Sequence, residues 1–270
     1  MKFDQLTAHA EGKLLTGIVD RVGHVVINNP ERHNAISLAM YQAGAAEVNR
    51  MAADPEARLL VVRGAGGKAF ASGADISKFE KERSSAEDVS KYSEASKAFY
   101  DSVFHFPKPT IAMIQGYCIG GGMGLAVACD IRLCEDKSRF AIPAAKLGLG
   151  YGYEGIRRLA NLVGPAMVKE IFFTARQFSA GEAQEMGLVN RVLPPHMLVP
   201  YVDDYAKRIS ENAPMTMESV KAIVQAIQDD ESARDLDALD AMVKACFASQ
   251  DYIEGRRAFM EKRKPNFTGS

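Results

Sequence analysis

Apolar positions recur along the chain in an order that predicts most of its elements. Residues 15–28 (LTGIVDRVGHVVIN) carry β-branched residues on both sides of Arg21–Gly23, the pattern of two short strands around a turn. Ser37 stands as an N-cap before Leu38, Tyr41, Ala45 and Val48, which are spaced for one apolar helix face reaching to about Met51. Arg58–Arg63 (RLLVVR) predicts a buried strand ended by the glycine-rich Gly64–Gly67. A second helical period covers Ala86–Phe104. It is followed by a strand over Thr110–Ile114, a short helix over Gly122–Cys129 and a strand over Ile131–Cys134. Such alternation predicts an α/β fold with a mainly parallel, crossover-connected core.

The pattern changes at Leu193. Pro194, Pro195 and Pro200 punctuate the chain, no strand signal follows Val192, and helices are expected over 198–212, 215–228, 233–248 and 251–263. This divides the chain into an α/β core, 1–193, and a helical module, 194–270. A module that short needs its apolar faces covered by the core or by another subunit.

Pro109–Cys129 has 21 residues without a charge, close to membrane-spanning length. Gln115 and the glycines at 116, 120, 121, 122 and 124 break it into strand, loop and helix, so no membrane segment is expected. The start, MKFDQLTAHAEGK, lacks the apolar stretch of a signal peptide. With 33 Lys+Arg against 34 Asp+Glu the net charge is −1, without the basic excess that nucleic acid favours. Cys118, Cys129, Cys134 and Cys246 form no C-x-x-C pair and no Cys/His cluster, so a metal site is not expected. Unclustered cysteines in a chain of this length read as reduced core residues of a cytoplasmic protein.

Two glycine-rich loops each follow a strand: Lys68–Ser77 (KAFASGADIS) and Gln115–Gly124 (QGYCIGGGMG), the second leading directly into a helix. Glycines let backbone approach a ligand closely, and a helix start presents unpaired N–H groups. Side by side, the loops are suited to aim two N–H donors at one oxygen that gains negative charge, an oxyanion hole. Either loop alone reads more readily as a tight turn.

The two loops in this order, with Asn28–Ala35 (NNPERHNA), Lys108–Ala112 (KPTIA), Cys129–Ile131 (CDI) and Glu254–Arg263 (EGRRAFMEKR), resemble the crotonase, or enoyl-CoA hydratase/isomerase, superfamily over nearly the whole chain. The resemblance implies a spiral of ββα repeats, a helical C-terminal trimerisation module, and homotrimers that often pair into hexamers. It implies an acyl-CoA thioester as substrate; coenzyme A enters as part of that substrate, so no separate cofactor is expected. By motif position the oxyanion-hole donors would be the N–H groups of Ala74 and Gly121. Ser72, Ala74, Asp75, Ile76 and Ser77 would line the CoA, and Phe259 and Lys262 lie where family members reach CoA, sometimes across the subunit interface.

The hydratases of this family use two glutamates for proton chemistry on water. Here the corresponding positions are Gly124 and Ala144, and neither side chain can move a proton. Nearby, Glu154 reads either as a displaced acid/base or as a first-turn helix glutamate. Tyr151 reads either as a hydrogen-bond donor to a substrate carboxylate or carbonyl, or as an aromatic wall of the pocket. Lys146, Arg32 and His33 read as surface or local structural residues.

Pro143–Leu159 and the tail Lys262–Phe267 also resemble the methylmalonyl-CoA decarboxylase branch, in which a tyrosine at the position of Tyr151 faces the substrate carboxylate. That branch usually has a histidine at Ala74 and an acid at Gly124; this chain has neither. Decarboxylation forms an enolate without a base. The readings are therefore an acyl-CoA lyase or isomerase using a backbone oxyanion hole, favouring a malonyl-type substrate; a hydratase or isomerase using Glu154; and a CoA-thioester-binding trimer without turnover.

Overall fold

The computed structural model describes residues 5–75 and 85–270. Its larger sheet has seven strands in the order β1 (Thr7–His9), β2 (Leu14–Val19), β3 (Val22–Ile27), β4 (Leu59–Gly64), β6 (Thr110–Ile114), β8 (Ile131–Glu135) and β11 (Arg191–Leu193). The first three pair antiparallel, and every pairing from β3 to β11 is parallel. A smaller sheet carries β10 (Phe178–Ser179), β9 (Arg139–Ala141), β7 (Tyr117–Ile119) and β5 (Ala69–Ala71), with β5, β7 and β9 parallel.

The helices are α1 (Leu38–Ala53), α2 (Ala86–Phe104), α3 (Gly121–Ala128), α4 (Ala144–Leu147), α5 (Tyr153–Thr174) and α6 (Ala180–Glu185), followed by α7 (Pro195–Ser210), α8 (Pro214–Ile227), α9 (Leu236–Ala248) and α10 (Gln250–Glu261). Strands β4, β6 and β8 each enter the large sheet and are followed at once by β5, β7 and β9 in the small one. A helix (α2, α3 or α4) then closes each turn. This is a mixed α/β fold, wound as a spiral of ββα repeats.

Successive residues of a strand face opposite ways, so a sheet buried on both faces reads as a continuous apolar run. In β4, Leu60 and Val62 join the main core with Met40, Tyr41, Val48, Phe99 and Val103 of α1 and α2. Leu59 and Val61 face the other way, onto Leu198, Val202 and Ala206 of α7. The first helix after residue 193 thus seals the second face of the sheet.

The expected helices lie close to their predicted places, α2 at its predicted residues. Ser37 occupies the N-cap of α1 with extended backbone, but its side chain makes no capping bond; at α2 Ser85 does cap, accepting from the Asp88 N–H. The uncharged stretch resolves into β6, β7 and α3, a strand more than expected. Short strands β1, β5, β7, β9 and β10 carry too few residues for a periodic signal, and α4 and α6, of four and six residues, span less than two helical turns. Helix α5 is interrupted at Gly164, which leaves helical geometry (φ 76°) before Pro165, since a proline disfavours helix in the residue before it. Among the described residues no helix is long and apolar enough to cross a membrane, and no cluster of three or more His, Cys, Asp or Glu side chains is placed to hold a metal.

Candidate active site

The chain leaves the small sheet at the C-terminal ends of three parallel strands, where ligand crevices of α/β sheets form. Residues 72–75 follow β5, Gly120 and Gly121 follow β7, and residues 142–144 follow β9. Apart from Asp75, they together border a cavity of about 670 Å³ that α2 and α5 close from the side. The Gly120 N–H donates to the Ala141 carbonyl (2.8 Å), tying the second loop to the third.

The Asn28–Ala35 segment braces the first loop from behind. The buried Asn34 amide donates to the carbonyls of Ala65 (2.9 Å) and Ala69 (2.6 Å) and accepts from the Asn29 N–H (2.9 Å). Two residues on, the Ile36 N–H donates to the Gly73 carbonyl (2.8 Å) and the Asp75 N–H donates to the Ile36 carbonyl (3.2 Å). These bonds hold Ala74 from both sides. Since N–H groups alternate along extended backbone, that of Ala74 points away from Ile36, and Ala74 lines the cavity.

Gly73 adopts φ +92°, a conformation that L side chains rarely take, and a Cβ there would stand 3.1 Å from the Gly121 nitrogen and from the Ile119 carbonyl oxygen. Gly121 opens α3, so its N–H has no acceptor within the helix. Ala74 and Gly121, from different loops, thus both border the cavity, and Gly73 packs against the Gly121 nitrogen. A pair of backbone N–H donors can stabilise an oxygen that becomes negatively charged.

Ser72, Ala74, Gly121, Tyr151 and Glu154 all border this one cavity, as do Gly124 and Ala144, the two positions where the resemblance expects carboxylates. Asp75 lies just behind, buried, 3.4 Å from Arg32. Ile76 and Ser77 lie outside the described residues. Phe259 and Lys262 stand at the end of α10 and do not border the cavity of the single chain; Phe259 is 86% exposed. Glu154 accepts two hydrogen bonds from Arg157 (3.1 and 3.0 Å), which also pairs with Asp229 (3.0 Å). Lys146 is exposed, and His33 packs edge-on against Tyr117. Cys118, Cys129 and Cys134 are buried, and burial pushes the Cys129 and Cys134 thiols up to about 12.

Sequence reasoning missed two groups. The first is a set of phenols: Tyr41 from α1 and Tyr92 and Tyr100 from α2 join Tyr151 along the cavity. The Tyr41 and Tyr100 hydroxyls are 3.0 Å apart. Burial, and next the neighbouring Tyr100, hold the Tyr41 hydroxyl well above the ordinary phenol value. The second is a polar wall. Buried Arg158 pairs with Asp101 (2.6 Å) and lies 4.2 Å over the Phe104 ring, and Lys97 also binds Asp101. Burial opposes ionisation of Asp101, but the hydrogen bonds from Lys97 and Arg158 outweigh it and hold the carboxyl below its usual range.

The family model described as enoyl-CoA hydratase/isomerase matches residues 17–270. A crotonyl-CoA hydratase of Syntrophomonas wolfei is 35% identical over 250 residues, covering 92% of this chain and 95% of its own. A short-chain-enoyl-CoA hydratase of Clostridium acetobutylicum is 33% identical, with 98% and 97% covered. Among solved structures, an enoyl-CoA hydratase/carnithine racemase from Magnetospirillum magneticum superposes with a TM-score of 0.90 at 33% identity over 100% of both chains.

Proposed function

Because the chain belongs to the enoyl-CoA hydratase/isomerase family, we propose that it binds an acyl-CoA thioester with the carbonyl oxygen between the N–H groups of Ala74 and Gly121. The reaction this site fits best is loss of CO2 from a malonyl-type CoA thioester. One observation carries the choice: Gly124 and Ala144 both border the cavity and bring no carboxylate to it.

Hydration needs groups that deliver and remove protons at Cα and Cβ. Decarboxylation does not. The carbon–carbon bond to the carboxylate breaks, its electron pair moves into the thioester, and the two N–H donors hold the enolate oxygen as its charge grows. An extra carboxylate beside the substrate's own would repel it. Tyr151, with its hydroxyl 4.0 Å from the place a Cβ on Gly120 would take, is positioned to hydrogen-bond the departing carboxylate. Turnover of malonyl-CoA and methylmalonyl-CoA, followed as CO2 release beside crotonyl-CoA hydration, tests the assignment. Release no faster than the uncatalysed control would overturn it.

A second reading, hydration or isomerisation with Glu154 as the acid/base, is favoured by the names of the relatives and by the place of Glu154 on the cavity wall. Against it stands the two-pronged bond to Arg157, which orients the Glu154 carboxylate toward a partner on its own helix. Binding of CoA thioesters without any turnover would leave the third reading, a non-catalytic binder.

The same proposal extends to assembly as a homotrimer or a hexamer of paired trimers. No residue of α9 is buried within the single chain. Leu236, Phe247, Ile253, Phe259 and Met260 are exposed along the helical end, and an apolar area of that kind marks an interface. Phe259 and Lys262 would then meet CoA across the interface. A folded, CoA-binding monomer in sedimentation at micromolar concentration would contradict this.

A further inference from the structure

An enolate made without a base still has to be protonated at carbon, and neither Gly124 nor Ala144 carries a proton to give. We propose that Tyr100, with its hydroxyl held against that of Tyr41, delivers this proton.

The packing of Tyr100 accounts for the glycine at 124. A Cβ on Gly124 would touch the Tyr100 ring at 3.5 and 3.6 Å, so the ring fills the space into which a side chain at 124 would grow. The Tyr100 hydroxyl reaches beyond it, to 2.7 Å from where a Cβ on Gly121 would be, with the Tyr41 hydroxyl 3.0 Å from the same point. The phenol pair therefore lies against one of the two proposed oxyanion-hole residues, where the enolate would form. Tyr41 is 1% exposed whereas Tyr100 is half-buried, which makes Tyr100 the partner that can meet a substrate. Tyr151 approaches from the Gly120 side, is edge-on to Phe172 (centroids 5.0 Å apart), and is already assigned to the carboxylate.

The carboxylate leaves as CO2, and the electrons of the broken bond form the enolate. When those electrons return to Cα, they take the Tyr100 hydroxyl proton and leave a phenolate. The Tyr41 hydroxyl donates a hydrogen bond to that phenolate, and the positive start of α3 lies beside it. Water then returns one proton to Tyr100, so the net reaction consumes one solvent proton for each CO2 released. A phenol is suited to this role because it remains protonated at neutral pH, where a carboxylate would be ionised.

The assignment rests on the decarboxylation reading, and two measurements separate the fates of the two. In D2O, wild-type enzyme acting on methylmalonyl-CoA should place deuterium at Cα of propionyl-CoA in one configuration. Tyr100→Phe should slow CO2 release by about 10²-fold and give both configurations equally, since the enolate then collects its deuteron from solvent. A single retained configuration in Tyr100→Phe would overturn the assignment.

The second measurement needs no CO2 release. Bound acetoacetyl-CoA forms an enolate that absorbs in the near ultraviolet. The pH at which this band appears should rise by about one unit in Tyr100→Phe, from loss of one hydrogen bond to the enolate, and by less in Tyr41→Phe. Affinity for acetoacetyl-CoA well below neutral pH should stay within about threefold, as expected for removal of one hydroxyl from an intact pocket. Where wild type releases CO2, the label decides. Where it does not, the decarboxylation reading falls and the band decides: a shifted midpoint keeps Tyr100 at the enolate, and an unmoved one removes it.

Discussion

A methyl group on Gly73 would stand 3.1 Å from the amide nitrogen of Gly121. The two glycine-rich loops therefore meet backbone to backbone, with no side chain between them, and the donors proposed to hold the thioester oxygen come from both sides of that seam. Replacing Gly121 by proline removes one N–H and should lower kcat by about 10²–10³-fold. Gly73→Val should do the same by prying the loops apart, since a β-branched residue is strained at φ +92°. Steady-state kinetics with a malonyl-type thioester, beside circular dichroism as a folding check, measures both.

Putting back the two family carboxylates should not by itself create a hydratase. A Cβ at position 124 meets the Tyr100 ring at ordinary contact distance, 3.5 Å, but the carboxylate of Gly124→Glu would have to displace that ring. The variant Gly124→Glu/Ala144→Glu should gain little crotonyl-CoA hydration, whereas adding Tyr100→Leu should raise it by about 10²-fold or more. CO2 release should fall in the same triple variant. High hydration already in the double variant would show that Tyr100 is not what excludes the carboxylate, and CO2 release that rises in the triple variant would contradict its role as proton donor.

Tyr151 and Glu154 border the cavity on one segment and should behave oppositely. Tyr151→Phe keeps the ring and removes a hydroxyl placed to orient the departing carboxylate; CO2 release should slow by about tenfold with CoA affinity unchanged. Glu154→Gln loses only a half-exposed ion pair with Arg157, so CO2 release should remain within about twofold and stability within about 1 kcal/mol. A large loss of turnover in Glu154→Gln would favour the second reading.

His24, remote from the cavity, should make the fold acid-sensitive. It lies in β3, is 3% exposed, and its Nδ1 has no hydrogen-bond partner among the described residues. Burial, and next the Arg63 charge, lower its pKa from the ordinary 6.5 to about 4. The unfolded chain therefore binds this proton at a higher pH than the folded one. The stability from neutral His24 is fully present above about pH 6.5 and is lost as pH falls toward about 4, by about 3 kcal/mol in all. Urea unfolding at pH 7 and pH 4 should show that share of the loss missing in His24→Leu.

The path of the chain was legible where a residue type has a local consequence. Periodic apolar positions located α1, α2 and β6, and the glycines around 73 and 120 marked the turns that bring Ala74 and Gly121 together. What could not be read depends on tertiary pairing. Tyr41 looked like an apolar helix-face residue, and its ring is one; its hydroxyl gains meaning only beside Tyr100, 59 residues further on. Strands β5, β7 and β9 have three residues each, too few to show a period, yet their ends form the cavity rim. The CoA roles given to Phe259 and Lys262 rested on motif resemblance alone, and neither residue borders the cavity of a single chain.

The most direct measurement is a crystal structure with a bound, unreactive analogue of a malonyl-type CoA thioester. The account predicts its carbonyl oxygen at about 2.7–3.1 Å from both the Ala74 and the Gly121 nitrogen, with the Tyr100 hydroxyl over Cα and the Tyr151 hydroxyl toward the carboxylate. A thioester oxygen held by any other pair of groups, or turned away from the seam between the two loops, would contradict it.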